Sequence, residues 1–196
     1  MFVTFEGLDG CGKTTQAELL AEHLRSLGRE VVLTREPGGT PLGEKVRALV
    51  LDGDDVSGWA EAALFAAARA ELVERVIRPA LERGADVVSD RYLDSSLAYQ
   101  GIARGLGVDR VLDLNLAATG GLLPQRTFLL RVPPEEAVGR AGADRIEREA
   151  ASFHAAVDEA YRELAAAFPR RMIEVDGARP PGEIATMILG QLRDLL

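Results

Sequence analysis

Residues 2–15 read FVTFEGLDGCGKTT, and the fold turns on this stretch. A short run of strand formers, Phe2–Phe5, meets a glycine-rich turn, Gly7-Leu8-Asp9-Gly10-Cys11-Gly12, followed by Lys13-Thr14-Thr15 and a helical pattern to about Leu27. That order of strand, loop and helix is the signature of a phosphate-binding loop. A triphosphate carries several negative charges, and backbone N–H groups must meet them at close range. Gly7, Gly10 and Gly12 allow the tight turns, Lys13 reaches the β and γ phosphates, and the Thr14 hydroxyl is a ligand for Mg²⁺. The following helix adds its positive N-terminal end.

The rest of the chain alternates. Val31–Thr34 is a second β-branched segment, so the first helix closes a βαβ unit and a parallel strand pair. A loop of turn formers, Arg35-Glu36-Pro37-Gly38-Gly39-Thr40-Pro41, leads into an amphipathic helix to about Leu51, and Asp52-Gly53-Asp54-Asp55 breaks it. Ser57 or Asp55 caps a long helix, Trp59 to about Arg78, with Pro79 near its end. Asp86–Ser89 is a third strand ending in Asp90-Arg91-Tyr92; an acid there, downstream of a phosphate loop, holds Mg²⁺ or its water. Asp94-Ser95-Ser96 starts a helix through Gln100 that Gly101 should break, and Asp109 should cap a helix to about Thr119. Strands follow at Thr127–Val132 and Met172–Val175, with helices from Pro133, over Glu149–Phe168 and over Pro180–Leu196. The pattern predicts one α/β domain, a doubly wound five-stranded parallel sheet with helices on both faces and phosphates at the carboxyl ends of its strands.

Composition narrows the function. With 196 residues and a formal charge of −8, the chain opposes broad binding to nucleic acid or to membrane surfaces. Lysine is confined to Lys13 and Lys45, so the loop lysine is not filler. Cys11 is the single cysteine, which excludes an intramolecular disulfide and a cysteine metal cage. No stretch has the length and apolarity of a membrane span and no targeting pattern opens the chain, so a cytoplasmic protein is expected. The Asn-Lys-x-Asp guanine reader of GTPases is missing, since the only asparagine, Asn115, lies in Leu-Asn-Leu.

The segments FEGLDGCGKTTQ, TREPGGTPLGEKVR, Ala62-Ala63-Leu64-Phe65-Ala66-Ala67-Ala68-Arg69, Asp90 to Gly101 and Asp144-Arg145-Ile146-Glu147 occur in this order, and together they resemble thymidylate kinase. The resemblance implies a P-loop NTPase fold with a short lid around residues 139–147, and transfer of the γ-phosphate of ATP to dTMP with Mg²⁺, commonly in a homodimer. It implies that Gly7, Leu8, Asp9, Gly10, Cys11, Gly12, Lys13, Thr14 and Thr15 bind ATP and that Thr14 and Asp90 serve the metal. Arg69 and Arg91 stand at the family's phosphate-binding arginines, whose forked geometry suits a dianion, and Arg47 is a further contact. Phe65, one turn before Arg69, lies against thymine. Ser96 and Gln100, four apart on one helical face, reach the base edge, and Tyr99 closes the pocket beside the sugar. Asp9 accepts from the 3′-hydroxyl or pairs with an arginine. Some members carry an arginine just after the loop acid, where this chain has Gly10, so the missing cation is expected from the lid, Arg140 first and Arg145 second. Lys13, Arg91 and one of those two form the expected catalytic set. The resemblance also implies a cis peptide at Glu36-Pro37. Two alternatives stay open at this point: a deoxynucleoside kinase, which needs a base near a 5′-hydroxyl, and a non-catalytic ATP-binding switch.

Overall fold

The fold is built outward from β1 (Phe2–Glu6), whose five residues are all buried. A strand covered on both faces reads as a continuous apolar run rather than an alternating one, which is why FVTF sits at the centre of the sheet. In the computed structural model, which describes residues 1–140 and 144–196 with the side chains of 138–140 outside the description, β1 is flanked by β3 (Asp86–Asp90) and β4 (Arg126–Arg131). Beyond them lie β2 (Val31–Arg35) and β5 (Met172–Asp176), giving the order β2-β3-β1-β4-β5, all parallel. The expected five-stranded doubly wound sheet is present. Register puts Phe5 opposite Asp90 and Arg35 opposite the same Asp90, so three strands end level at one edge. There β1 runs into the phosphate loop.

Helices cover both faces. Helix α1 (Lys13–Ser26) starts directly on the loop after Gly12, whose φ of 96° is left-handed. Gly7 has no alternative: at φ 133° it passes so close to β4 that a Cβ would stand 2.3 Å from the Leu130 carbonyl oxygen. Helix α2 (Pro41–Arg47) is capped by the Thr40 hydroxyl, which accepts from Gly43 N. Helix α3 (Gly58–Leu72) is capped by Ser57, one of the two residues expected there. It continues through a widened turn, Val73–Ile77, into α4 (Arg78–Glu82). Pro79 explains the widening: its ring displaces the carbonyl four residues back, and a wider turn relieves the clash without ending the helix.

Three boundaries differ from expectation. Gly101 does not break its helix: α5 (Leu93–Ser96) runs on as a wide-turn segment, Leu97–Ala103, through it. A Cβ at Gly101 would be 3.3 Å from Val108 Cα, so the glycine serves close packing onto α6 (Val108–Thr119). The cap of α6 is Gly107, with Asp109 inside the first turn. The last helix stops short of the C-terminus: after α7 (Pro134–Arg140) and α8 (Ala151–Ala167), α9 (Pro181–Gly190) ends in turns. The peptide Glu36-Pro37 is cis, as the resemblance implied.

The core lies between sheet and helices, with Phe5 and Phe128 ring centroids 5.7 Å apart and Phe2 edge-on to Tyr92 at 5.0 Å. Phe128 is fully buried on β4. Phe128→Ala should therefore lower the unfolding free energy by about 3–5 kcal/mol, read from the urea midpoint at unchanged slope.

Candidate active site

Strand ends and helix starts meet at the carboxyl edge of the sheet. Lys13, buried at the start of α1, folds back over the loop and donates to the Leu8 carbonyl at 2.8 Å, with its Nζ 3.5 Å from Asp9 Oδ1. The Thr14 hydroxyl donates to Asp90 Oδ2 at 2.5 Å, joining the loop to the tip of β3. Hydroxyl and carboxylate are hard oxygen donors, and Mg²⁺ takes one or two such protein ligands with phosphates and waters completing its shell. Thr34 Oγ1 and Glu36 Oε1 are buried without partners among the described residues, and both residues line the cavity that Thr14 and Asp90 line. The set fits a hydrated divalent cation, although no cluster of three or more ligating side chains exists among the described residues.

Two cavities open here. One of about 540 Å³ is lined by Lys13, Thr14, Thr34 and Asp90 among others. The second, about 100 Å³, is a slot walled by Phe65, Ser96, Tyr99, Gln100 and Ile146. Asp9, Glu36, Arg47 and Arg91 line both, so the cavities join at two arginines and two carboxylates.

Arg91 holds that junction. Its Nη2 meets Asp9 Oδ1 at 2.6 Å, its Nη1 donates to Ser95 Oγ at 2.9 Å and to the Tyr161 hydroxyl at 3.2 Å, and its guanidinium lies 5.4 Å from the Tyr99 ring centre. Burial pushes the Asp9 carboxyl up, but the Arg91 and Lys13 charges outweigh it and hold it well below the usual carboxylate range. Burial likewise pushes the Tyr99 and Tyr161 hydroxyls far up, so both stay protonated donors. Arg47 is fixed by donation to the Pro37 carbonyl at 3.1 Å.

Arg69 departs from the expected phosphate contact. It is 1% exposed and lines neither cavity. Its Nε and Nη2 meet Glu36 Oε2 at 2.6 Å, Nη2 also donates to the Tyr92 carbonyl, and Nη1 donates to Ser96 Oγ at 3.1 Å and to Asn115 Oδ1. Every face of the fork is taken by protein, so it acts behind the wall. Its donation makes Ser96 Oγ an acceptor on that side, which turns the serine's own O–H toward the slot.

Gln100 is set in a similar way. Its amide nitrogen donates to Glu61 Oε1 at 2.8 Å, and a carboxylate accepts only, so the amide oxygen is left for the slot. Glu61 is fully buried and also takes Arg104 at 2.7 Å and Arg145 at 2.5 Å, which together hold its carboxyl below its usual value against the burial that raises it. Arg145 is thus committed to Glu61 and, through Nε, to the Val50 carbonyl, outside both cavities. The expectation that it closes over the transferring phosphate is corrected by this geometry. The Arg140 side chain, with part of the lid segment 139–147, lies outside the described residues.

Sequence reading did not single out Glu61, Asn115, Ser95 or Tyr161. Glu61 and Asn115 sit in helices whose pattern signals only packing, and Tyr161 is one more apolar position on α8. Ser95 had a signal, since it sits inside the Asp90–Gly101 match.

The family model for thymidylate kinase matches residues 5–188. The chain is 49% identical over 180 residues to a thymidylate kinase of Thermoanaerobacter sp. strain X514, covering 90% of this chain and 89% of that one. It is 45% identical over 199 residues to one of Caldanaerobacter subterraneus subsp. tengcongensis, covering 100% and 96%. Among solved structures it resembles the thymidylate kinase of Ehrlichia chaffeensis, with a TM-score of 0.84 at 32% identity over 98% of each chain.

Removing the buried Arg69 strands Glu36 without its cation. Arg69→Ala should destabilise the fold by about 3–5 kcal/mol, measured by urea unfolding, a cost a mere surface arginine does not produce.

Proposed function

Because the chain belongs to the thymidylate kinase family, ATP-dependent nucleoside monophosphate kinases that convert dTMP to dTDP, we propose a division of labour among its site residues. The observation that carries it is the pair of cavities meeting at Asp9, Glu36, Arg47 and Arg91. ATP lies along Gly7–Thr15, its phosphates on the loop N–H groups and Lys13. Thr14 and Asp90 would hold Mg²⁺, which when bound would neutralise phosphate charge. The slot takes thymine: Phe65 gives a face, the Gln100 amide oxygen accepts from the ring N–H, and the Ser96 hydroxyl donates to a ring carbonyl. Tyr99 stands beside the sugar. Arg69 positions Ser96 and Glu36 instead of touching the phosphate.

Arg91 and Arg47 hold the acceptor phosphate at the junction, turned toward the γ-phosphorus. An acceptor oxygen forms the new bond to that phosphorus as the bond to the β-γ bridging oxygen breaks, releasing ADP. The dianion is itself the nucleophile, so no strong general base is required. Lys13 and Arg91 meet the charge on the transferring group, and Arg140 supplies the closing cation from the lid. Asp9 pairs with Arg91 and leaves its other oxygen for the 3′-hydroxyl.

We read the chain as one kinase domain with a lid at 139–147, working in the cytoplasm as a homodimer. The formal charge of −8 speaks against nucleic-acid and membrane partners, and among the described residues no helix is long and apolar enough to cross a membrane. For the dimer, the support is the face of α3 and α6 where Trp59, 38% exposed, stacks under Arg110 at 4.6 Å.

A coupled assay of all nucleoside monophosphates and thymidine with MgATP should give fastest turnover on dTMP. Arg91→Ala should cut kcat/KM for dTMP by about 10³-fold or more and leave the KM for ATP nearly unchanged. No dTDP at saturating Mg²⁺ sinks the assignment, and turnover of thymidine in preference to dTMP favours a nucleoside kinase.

A further inference from the structure

We propose that Glu6 and Tyr161 are positioning residues that aim Arg91, so that the acceptor-side guanidinium is set only when β1 and α8 are both in place. This rests on the reading of Arg91 given above.

Arg91 is the one non-glycine residue among those described with a left-handed backbone, φ 72°. Such a conformation persists only where its surroundings over-determine it. Here they do: Arg91 N donates to the Phe5 carbonyl at 2.9 Å, and Ser89 Oγ donates to the Arg91 carbonyl at 2.7 Å. The next peptide is clamped as well, with Tyr92 N donating to Glu6 Oε1 at 2.8 Å.

The same glutamate anchors the side chain from below. Arg91 Nη1 donates to Ser95 Oγ and to the Tyr161 hydroxyl, and each of those hydroxyls donates in turn to Glu6 Oε2, at 2.6 Å and 2.8 Å. Donor arithmetic fixes the direction of this relay. Two hydroxyls that accept from a guanidinium need an acceptor for their protons, and an ionised carboxylate supplies it. If Glu6 takes up a proton, the two hydroxyls, 3.1 Å apart, re-pair with each other and with the new carboxyl O–H, and the negative charge 3.9 Å from Arg91 Nη1 is lost.

Glu6 is fully buried at the end of the strand that enters the phosphate loop, and Tyr161 is fully buried on α8, the helix that follows the lid segment. The relay thus ties donor loop, acceptor arginine and the helix behind the lid through Glu6 and Tyr161, which line neither cavity, and through Ser95, which lines the slot. The charged groups facing Glu6 are Arg91, Asp94, and Arg171, which holds Asp94 in a paired contact at 2.6 Å. Burial first, then the Asp94 charge, raises the Glu6 carboxyl to about 7, against the pull of Arg91 and Ser95. Protonation in the working pH range then loosens Arg91.

The test compares Tyr161→Phe and Glu6→Gln, both nearly isosteric, with Arg91→Gln beside them. Steady-state kinetics for ATP and dTMP are taken from pH 6 to 9, with melting temperatures. The expectation for Tyr161→Phe is a melting temperature close to wild type and an ATP KM within about twofold. Its kcat/KM for dTMP falls about tenfold, and its acid limb moves to higher pH because the carboxylate has lost a donor. Glu6→Gln should show its loss at every pH and no acid limb beyond the one that dTMP's own phosphate imposes on all variants. The proposal is overturned if both variants keep wild-type dTMP kinetics and pH profile, or if ATP and dTMP parameters fall together in step with stability and the limb stays put. Should one variant fail to fold, the other decides. If Arg91→Gln itself leaves dTMP turnover intact, the reading of Arg91 fails first; if only Arg91→Gln is impaired, the relay alone fails.

Discussion

Two nucleotides that meet phosphate to phosphate repel each other, and the carboxyl edge of this sheet is arranged around that repulsion. At an effective dielectric of about 20, unit charges 4 Å apart interact by about 4 kcal/mol, and each nucleotide brings more than one. The chain is acidic overall, with a formal charge of −8, so the cations needed at the junction must be concentrated locally. In the proposed arrangement Arg91 and Arg47, which line both cavities, and Lys13, which lines the larger one, supply them. Asp9, 2.6 Å from Arg91, keeps the guanidinium in place.

Most of the other arginines near the site are structural. Arg69 on Glu36, Arg145 and Arg104 on Glu61, and Arg171 on Asp94 each neutralise a buried acid. Ion pairs of this kind add little net stability compared with apolar packing, yet losing one partner is expensive. Their effect here is directional. Glu61 turns the Gln100 amide, Arg69 turns the Ser96 hydroxyl, and Glu36 stands between Arg69 and the junction. A slot that is apolar on one face and polar at its rim results, which suits a flat base read by its edge.

The parallel sheet, its order of strands along the chain and the phosphate loop were legible because they rest on local patterns: β-branched runs, glycine spacing and helical periodicity. The slot residues Phe65, Ser96, Tyr99 and Gln100 were legible because two lie on one helical face and all fall in segments resembling a known family. Arg69 and Arg145 were misread for a common reason. Sequence shows that a residue is cationic, whereas its partner is set by tertiary contacts: Glu36 lies 33 positions from Arg69, and Glu61 lies 84 from Arg145. Gly101 was misread because a packing glycine and a helix-breaking glycine look alike in one dimension. Tyr161, 155 positions from Glu6, carries no local mark of its place.

The central claim is geometric: donor and acceptor phosphates lie end to end across Arg91. It is tested most directly by calorimetric binding of adenosine and thymidine joined 5′ to 5′ through five phosphates. The account predicts one molecule per chain, displacement of both ATP analogue and dTMP, and affinity at least about 100-fold above either nucleotide alone. Binding no tighter than ATP, with dTMP still able to bind beside it, contradicts the account.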